Sequence, residues 1–589
     1  MTRAIPRCSG WTAWCNNAFV VPSDYNALYK GGLTGDPDDD GNKLEMKFDG
    51  LKIQPKRWNE GHTALEWNTI SAATGDNVAP VTTGATPASP TISTDADKDR
   101  RLKGGNIYGG CYNSGIVNGI VVININSSII DRDKVFDEVE DDETGEDKLY
   151  GNESYKITKR NSGVILAEQG MDVLGSALNL FGGGKGVNTE IWGSTTINLN
   201  RGYVFQIFGG SEEGAIGKAN VYNESTGKLE YSYDTAYSTY INLNGPIPGV
   251  SKSNNMTEDI AEAEFIYGGG FLGPIAGNTH VNLGNGRIFN SFAGSCNADI
   301  LGHTETYIGT NGFPYVRDFI YGGNDLGGRI LNTANFDSRL RNGDVRAKVH
   351  NIDMLNASAY VEYVQGHVEK IFGGAYGVYD YKDAHYRTFF DAEGHAITGY
   401  HKPFLGNAFI NFRPTDTNNP LNTVHQIYGA GQGYLGEEEE DLMQESSYIL
   451  IDVPQAMTTF QDTDIFGAGE NGGVGMGVAE TTADAPATAH KASAIIDLLS
   501  GHFKNVYGGS YQEGITRRTE INVPSGSTFR CSNIFGGAYG VSNDYPCDVY
   551  ESNVNWNSSD AIVGGYRTGI YGGNNNCRRT RYVFLRSLD

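Results

Sequence analysis

The sequence predicts an all-β fold: a parallel β-solenoid, or β-helix, of about 27-residue coils with aromatic-Gly-Gly corners, preceded by a small N-terminal region. Three observations carry that prediction. One phrase, an aliphatic residue, then Tyr or Phe, then Gly-Gly or Gly-Ala, recurs along the chain. Short alternating runs with β-branched residues stand upstream of the copies, and no convincing amphipathic helical window lies between them. The composition agrees, with 79 Gly, 34 Tyr, 25 Phe and only 18 Pro in 589 residues. So many aromatics supply enough apolar surface to bury, which excludes a disordered linker. The low Pro content, without a three-residue Gly period, excludes collagen.

Residues 1–71 lack the repeat. Trp11 and Trp14 beside Cys8 and Cys15, then Trp58 and Trp67, predict a small head or cap. Residues 72–105, rich in Thr, Ala and Pro, read as a linker or long exposed loop. The solenoid spans 106–589 and is expected to continue beyond the chain end, because no polar capping unit follows Tyr582-Val583-Phe584-Leu585.

Within a coil, runs such as Thr195-Thr196-Ile197-Asn198-Leu199 and Thr279-His280-Val281-Asn282-Leu283 read as strands. A turn follows, often with Gly (Gly202, Gly286, Gly366, Gly501), and a second apolar run leads into the corner. Gly suits a corner because it accepts positive φ and lets the next coil approach closely. The signature Tyr and Phe residues read as a ladder of rings, one per coil, and not as a ligand cage. The Asn of Ile-Asn-Leu either forms a side-chain ladder or faces solvent. Two or three strands per coil both fit.

The intervals between signature rings set the expected coil count. The shortest run from Phe181 to Phe208, Tyr267 to Phe292, Phe292 to Tyr321 and Tyr507 to Phe535, and they share a length of roughly 27 residues. The intervals Phe208 to Tyr267, Tyr321 to Phe372 and Phe372 to Tyr428 are about twice as long, and read as two coils, one without its signature. Those from Tyr428 to Phe466, Phe466 to Tyr507 and Phe535 to Tyr571 read as one coil plus an insertion. The longest, Tyr108 to Phe181, holds the acidic stretch Asp131–Asp147. On that reading Tyr108 to Tyr571 holds about 17 coils. A propeller is disfavoured, because a four-stranded blade does not fit in a unit of roughly 27 residues.

A net charge of −25 argues against a nucleic-acid partner and against docking on anionic lipid. No apolar run of membrane-spanning length exists. The acidic runs Asp131–Asp147 and Glu437–Asp441 read as solvated loops that keep sheets from associating. Seven Cys without a C-x-x-C pair argue against structural zinc; Cys8 with Cys15, and Cys531 with Cys547, are close enough to pair. Met1–Pro6 lacks the apolar segment of a signal peptide, yet the acidic, Tyr-, Asn-, Thr- and Gly-rich composition favours export.

Candidate sites are few. Asp36, Asp38 and Asp40, with Gly41, match the start of a calcium loop, where alternate carboxylates converge on one cation. Lys47 stands where the closing Glu belongs, so calcium is at most a weak ligand there. Gly268/Gly270/Gly273, Gly431/Gly433/Gly436 and Gly467/Gly469/Gly472 satisfy G-x-G-x-x-G but fall on corners and open no helix, so they read as turns. Tyr376, Tyr379 and Tyr381 lie in a Tyr-rich loop suited to stacking on sugar rings or contacting a protein. The richest catalytic candidate is Asn297, Asp299, His303, Arg317, Asp318, Asn324, Asp325 and Arg329, which adjacent coils bring within reach of each other.

The phrases Ile207-Phe208-Gly209-Gly210-Ser211-Glu212-Glu213-Gly214-Ala215-Ile216-Gly217 and Thr196-Ile197-Asn198-Leu199-Asn200-Arg201-Gly202 resemble Gly-rich repeats of large, adhesin-like cell-surface or secreted proteins of Bacteroidota. The resemblance covers roughly residues 104–589. It implies an extracellular surface protein and carries over no catalytic residue. The expectation is therefore a structural or adhesive surface protein without catalytic role. Its partners would be a glycan, another surface protein or further copies of itself. A polysaccharide lyase or glycoside hydrolase on the same fold, and a self-assembling filament or surface layer, are the alternatives.

Overall fold

The computed structural model describes residues 12–13, 19–20, 43–49, 52–58, 65–67, 107–126, 177–223, 228–245, 261–331, 357–378, 388–390, 396–398, 403–415, 421–435, 443–475, 494–541, 545, 547–564, 569–575 and 580–587. Among them there is no α-helix; nearly all regular structure is strand, mostly in parallel pairs, as a β-solenoid requires. The chain divides into two compact units. Unit 1 comprises Met1–Gly277, Val281–Phe289 and Asn311–Arg317; unit 2 comprises Asn278–His280, Asn290–Thr310 and Asp318–Asp589.

In unit 1 the Thr-x-Ile-Asn-Leu runs pair in register: Ile120–Asn126 beside the first half of Thr195–Phe208, and that half beside Thr239–Asn244. Lys43–Asp49 pairs in parallel with Ile120–Asn126, and Lys52–Trp58 and Leu65–Trp67 follow it antiparallel. A second ladder joins the corner strands Ile107–Tyr108, Ala177–Phe181, the second half of Thr195–Phe208, and Ala261–Tyr267. A third joins Ser114–Val117, Asn188–Ile191 and Ala215–Ile216. Three strands per coil therefore replace the two-or-three alternative.

Unit 2 repeats the scheme. Its first ladder runs through Thr304–Ile308, Ala357–Tyr363, Phe404–Phe412, Met443–Asp452, Ala494–Ser500, Thr516–Val523, Val549–Trp556 and Thr580–Ser587. Its corner ladder includes His367–Phe372, Thr423–Tyr428, Asp464–Phe466, Asn505–Tyr507, Asn533–Phe535 and Gly569–Tyr571. The interior is aliphatic: Ile197, Leu199, Ile241, Leu243, Val361, Ile410, Ile449 and Ile496 are fully buried.

The corner explains the repeated phrase. The signature rings stack face to face. In unit 1, Tyr108, Phe181, Phe208 and Tyr267 lie 4.7–5.0 Å apart with planes within 9°. In unit 2, eight rings from Phe292 to Tyr571 lie 4.7–5.1 Å apart with planes within 11°. Each such pair contributes about 0.5–1.5 kcal/mol beyond burial. The first Gly after the ring has no room for a side chain: a Cβ on Gly182 would sit 2.2 Å from Gly209 O, and one on Gly467 2.1 Å from Gly508 O. The carbonyl that takes that space accepts a hydroxyl from the start of its own coil. Thr195 Oγ1 donates to Gly209 O at 2.5 Å, Thr239 to Gly268 O at 2.6 Å, Ser447 to Gly467 O at 2.5 Å and Thr519 to Gly536 O at 2.5 Å. Thr and Gly, well separated in sequence, are thus two halves of one joint. The turn glycines Gly286, Gly366 and Gly501 adopt φ of 130°, 134° and 122°, a region that favours glycine.

The coil count needs correction. Phe208 and Tyr267 stack directly in adjacent strands despite the long interval between them, as do Tyr321 with Phe372 and Phe372 with Tyr428. Each long interval is one coil with inserted chain and not two coils, so there is one coil per signature and the expected coil number is too high. Part of the chain inserted between Phe208 and Tyr267 is an antiparallel hairpin, Ala219–Asn223 with Lys228–Tyr231. Glu190, on the third ladder, fastens it: Tyr231 Oη donates to Glu190 at 3.3 Å while Trp192 Nε1 donates to the same carboxylate at 2.6 Å.

The disulfide reading also changes. Cys531 and Cys547 are not paired with each other; each is buried and in no disulfide, as is Cys296. Cys547 Sγ instead lies 3.4 Å from Tyr539 O and 3.6 Å from Ser510 Oγ. Burial pushes the thiols of Cys296 and Cys531 well above the ordinary cysteine range.

Candidate functional site

Alternation along the first ladder sends every second side chain outward from the aliphatic interior. In unit 1 one outward row is a continuous ladder: Asn198 Nδ2 donates to Asn124 Oδ1 at 2.8 Å, Asn242 to Asn198 at 2.8 Å, and Asn282 to Asn242 at 2.7 Å. Of the two readings of Ile-Asn-Leu, the side-chain ladder is the one formed.

In unit 2 register places Tyr307, Glu362, Asn411, Leu450, Asp497, Asn522 and Asn555 along one outward row. The ladder survives at one end, where Asn555 donates to Asn522 at 2.8 Å and Asn522 to Asp497 at 2.9 Å. It fails at Leu450. Asn411 Nδ2 turns to Tyr360 Oη at 2.9 Å, and Tyr360 in turn donates to Glu362 at 2.8 Å. Asn411 Oδ1, which the next coil's Asn would satisfy, is buried without a hydrogen-bond partner among the described residues. Beside this row the aromatic cluster Tyr360, Phe409, Tyr448, Leu450 and Ile495 is buried.

A hollow of about 570 Å³ opens at the same strand ends. Its polar lining is Thr310, Glu362, Arg413, Thr415, Asp452 and Ser500; Val364, Pro414 and Pro454 supply the apolar part. Register explains the convergence: Arg413 follows Phe412 and donates its N–H to Tyr363 O, and Asp452 pairs with Ser500. Ser500 Oγ donates to Asp452 Oδ1 at 2.8 Å. Two carboxylates, a guanidinium and three hydroxyls thus share one depression fed by successive coils. Sequence reasoning missed these residues, which come from separate strands and strand ends scattered between Thr310 and Ser500.

The sequence-predicted residues fall elsewhere. Tyr376 packs edge-on against Tyr321 at 5.2 Å and Phe292 at 6.1 Å, roofing the ring ladder. Tyr511 covers Phe466 and Tyr539 covers Tyr507 in the same way. The signal was an aromatic shortly after the signature ring, which packs on the preceding coil's ring. Above this ladder Lys370 binds Glu470 at 2.9 Å, Gln432 donates to Glu470 at 3.1 Å, and Tyr321 Oη donates to Gln432 at 2.7 Å. Tyr379, Tyr381, Asp36, Asp38, Asp40, Asp131–Asp147 and Glu437–Asp441 lie outside the described residues. Among the described residues no three His, Cys, Asp or Glu side chains gather as a metal site.

Adjacent coils bring part of the cluster around Asp299 together: Asn297 pairs with Gly327 in a β-bridge, Asn324 Nδ2 donates to Ala298 O at 3.2 Å, and Asp325 lies 3.9 Å from Cys296. Asp299 and Arg329 form a largely exposed bidentate pair. Asn324 is buried and spent on backbone, its Oδ1 accepting from Ser295 N at 2.9 Å and its Nδ2 donating to Gly327 O at 2.9 Å. His303 belongs to a different network, on the buried Glu305, which also bonds His280 at 2.8 Å and Tyr307 at 3.0 Å. Arg317 lies over the Phe289 ring. Glycines of the G-x-G-x-x-G runs among the described residues are coil contacts: a Cβ on Gly273 would meet Gly214 O at 1.8 Å and one on Gly433 would meet Asn471 O at 2.1 Å.

No protein-family model, curated protein or solved structure matches the chain. Among the described residues no helix is long and apolar enough to cross a membrane.

Proposed function

We propose that the chain is an extracellular structural or adhesive surface protein, a stiff β-solenoid platform without catalytic role that engages a glycan or another surface protein. The observation that supports this reading is the separation of two jobs. The corner of ring, glycine and hydroxyl repeats nearly unchanged from coil to coil, while the outward rows vary. Parallel backbone ladders and stacked rings make a platform that resists local opening. The resemblance to Gly-rich surface proteins points the same way.

The test passes the purified chain over immobilised neutral and acidic polysaccharides and mucin. New reducing ends and the absorbance of unsaturated products are scored in parallel. Retention without product is the expected result. Product release would replace this reading with a polysaccharide lyase or hydrolase. Self-association is the second reading, and one observation favours it. The strand Thr580–Ser587 pairs only with Val549–Trp556 among the described residues, and Val583 and Leu585 on it are about half exposed. Such an edge templates further strands. Uniform particles of one chain in light scattering would dismiss it.

A further inference from the structure

We propose that the hollow at Glu362, Arg413 and Asp452 is a binding site for an extended, neutral glycan whose successive sugars face successive coils; the proposal rests on the adhesive reading and names the ligand class of that platform. Size is the first argument, since about 570 Å³ falls in the range of small-molecule sites, roughly 300–1,000 Å³. The second is chemistry. Carboxylates accept, a guanidinium fork donates, the hydroxyls of Thr310 and Thr415 do both, and Ser500, whose proton is on Asp452, accepts. That set complements vicinal hydroxyl groups, each of which is donor and acceptor. Pro414 and Pro454 offer flat apolar surface to the C–H face of a pyranose.

Charge narrows the class. Among the described residues the charged lining is two carboxylates, Glu362 and Asp452, to one guanidinium, Arg413. A polyuronate or sulfated glycan would bring its anions against two carboxylates, whereas a neutral sugar meets no such repulsion. Geometry narrows it further. The lining steps from coil to coil at the inter-strand spacing, ~4.8 Å. That step is close to the advance of one residue along an extended, equatorially linked glycan, so each sugar meets an equivalent place on the next coil. The broken Asn row supplies the last argument. A continuous amide ladder spends its donors and acceptors on itself. The hollow adjoins the broken row through Glu362, the one member of that row in its described lining, and Arg413 and Asp452 stand two residues on from Asn411 and Leu450.

The experiment compares the full chain with Arg413→Ala, Glu362→Gln and Asp299→Asn on an immobilised neutral β-glucan, an immobilised mannan and an immobilised polygalacturonate. Near-ultraviolet circular dichroism confirms that each variant is folded. The expected result is retention on a neutral polymer over polygalacturonate. It should weaken about tenfold in Arg413→Ala and Glu362→Gln, the scale of a lost charge-assisted hydrogen bond, and stay unchanged in Asp299→Asn. Equal retention of folded groove variants, or preference for polygalacturonate, overturns the site while leaving the adhesive reading standing. Retention of the wild-type chain neither on these polymers nor on mucin overturns the site and the glycan arm of the adhesive reading, and leaves a protein partner or self-association.

Discussion

The same outward row behaves differently in the two units. In unit 1, Asn124, Asn198, Asn242 and Asn282 pass hydrogen bonds from coil to coil. In unit 2, Leu450 interrupts the row, Asn411 Oδ1 has no hydrogen-bond partner among the described residues, and a polar hollow opens beside the row. The corners show no such contrast: ring spacing and glycine crowding are alike in both units. The difference teaches that ring stacking and the polar hollow use different positions of the same coil. The hollow lies beside a row that no longer satisfies itself.

The largest expected effect breaks what the units share. Gly209→Ala in unit 1 and Gly467→Ala in unit 2 each drive a Cβ into the next coil's carbonyl, at 2.2 and 2.1 Å. Because backbone must move, each should cost about 3 kcal/mol or more, at or above the upper end of overpacking. Denaturant unfolding measures it, and a cost under about 1 kcal/mol in either unit would break the shared-corner account.

Alkali comes next. Burial pushes the phenols of Tyr321, Tyr363 and Tyr428 well up from the ordinary tyrosine value. Their folded-state pKa exceeds the unfolded one, so the stability they contribute is fully present below about pH 10 and is lost as pH rises through the folded value. Exposed phenols ionise first, and the last part of the phenolate rise should coincide with alkaline unfolding. Tyr321→Phe with Tyr363→Phe should move that transition to higher pH. A phenolate rise already complete before unfolding would contradict the burial.

The smallest effect sharpens the contrast itself. Asn242→Leu strips Asn198 Oδ1 and Asn282 Nδ2 of partners and should cost about 1 kcal/mol. Asn411→Leu removes a group already half unsatisfied, and Tyr360 keeps its bond to Glu362, so its effect should lie within about 0.5 kcal/mol of zero. Thermal unfolding of both variants decides; equal losses would mean the two rows are energetically alike.

Much of the fold was legible because its causes are local. The ring-Gly-Gly phrase marks each corner, and Ile-Asn-Leu announces two buried aliphatics around one outward amide. Coil number was misread because an interval's length cannot separate a coil that lost its signature from inserted chain. The stacking of Phe208 on Tyr267 can. The Thr–Gly joint was half read, since both residues were noticed but a hydrogen bond between Thr239 and Gly268 is not visible in either alone. The hollow was not legible. Glu362, Arg413 and Asp452 look like ordinary surface charges until register places them together, and the more conspicuous Asp299–Arg329 run turned out to hold its own backbone.

The joint between each coil's opening hydroxyl and its corner glycine has an evolutionary consequence. The joint, the strand ladders and the stacked rings fix where the next layer sits, so the chain between those strands can lengthen with little energetic penalty, since loop closure grows only slowly with length. Phe208 lies as close to Phe181, its near neighbour in sequence, as to Tyr267, from which a spliced-in hairpin separates it. The molecule is therefore a rack with interchangeable shelves. New surface can be inserted between two rungs, trialled and discarded while the frame that carries it remains as it was.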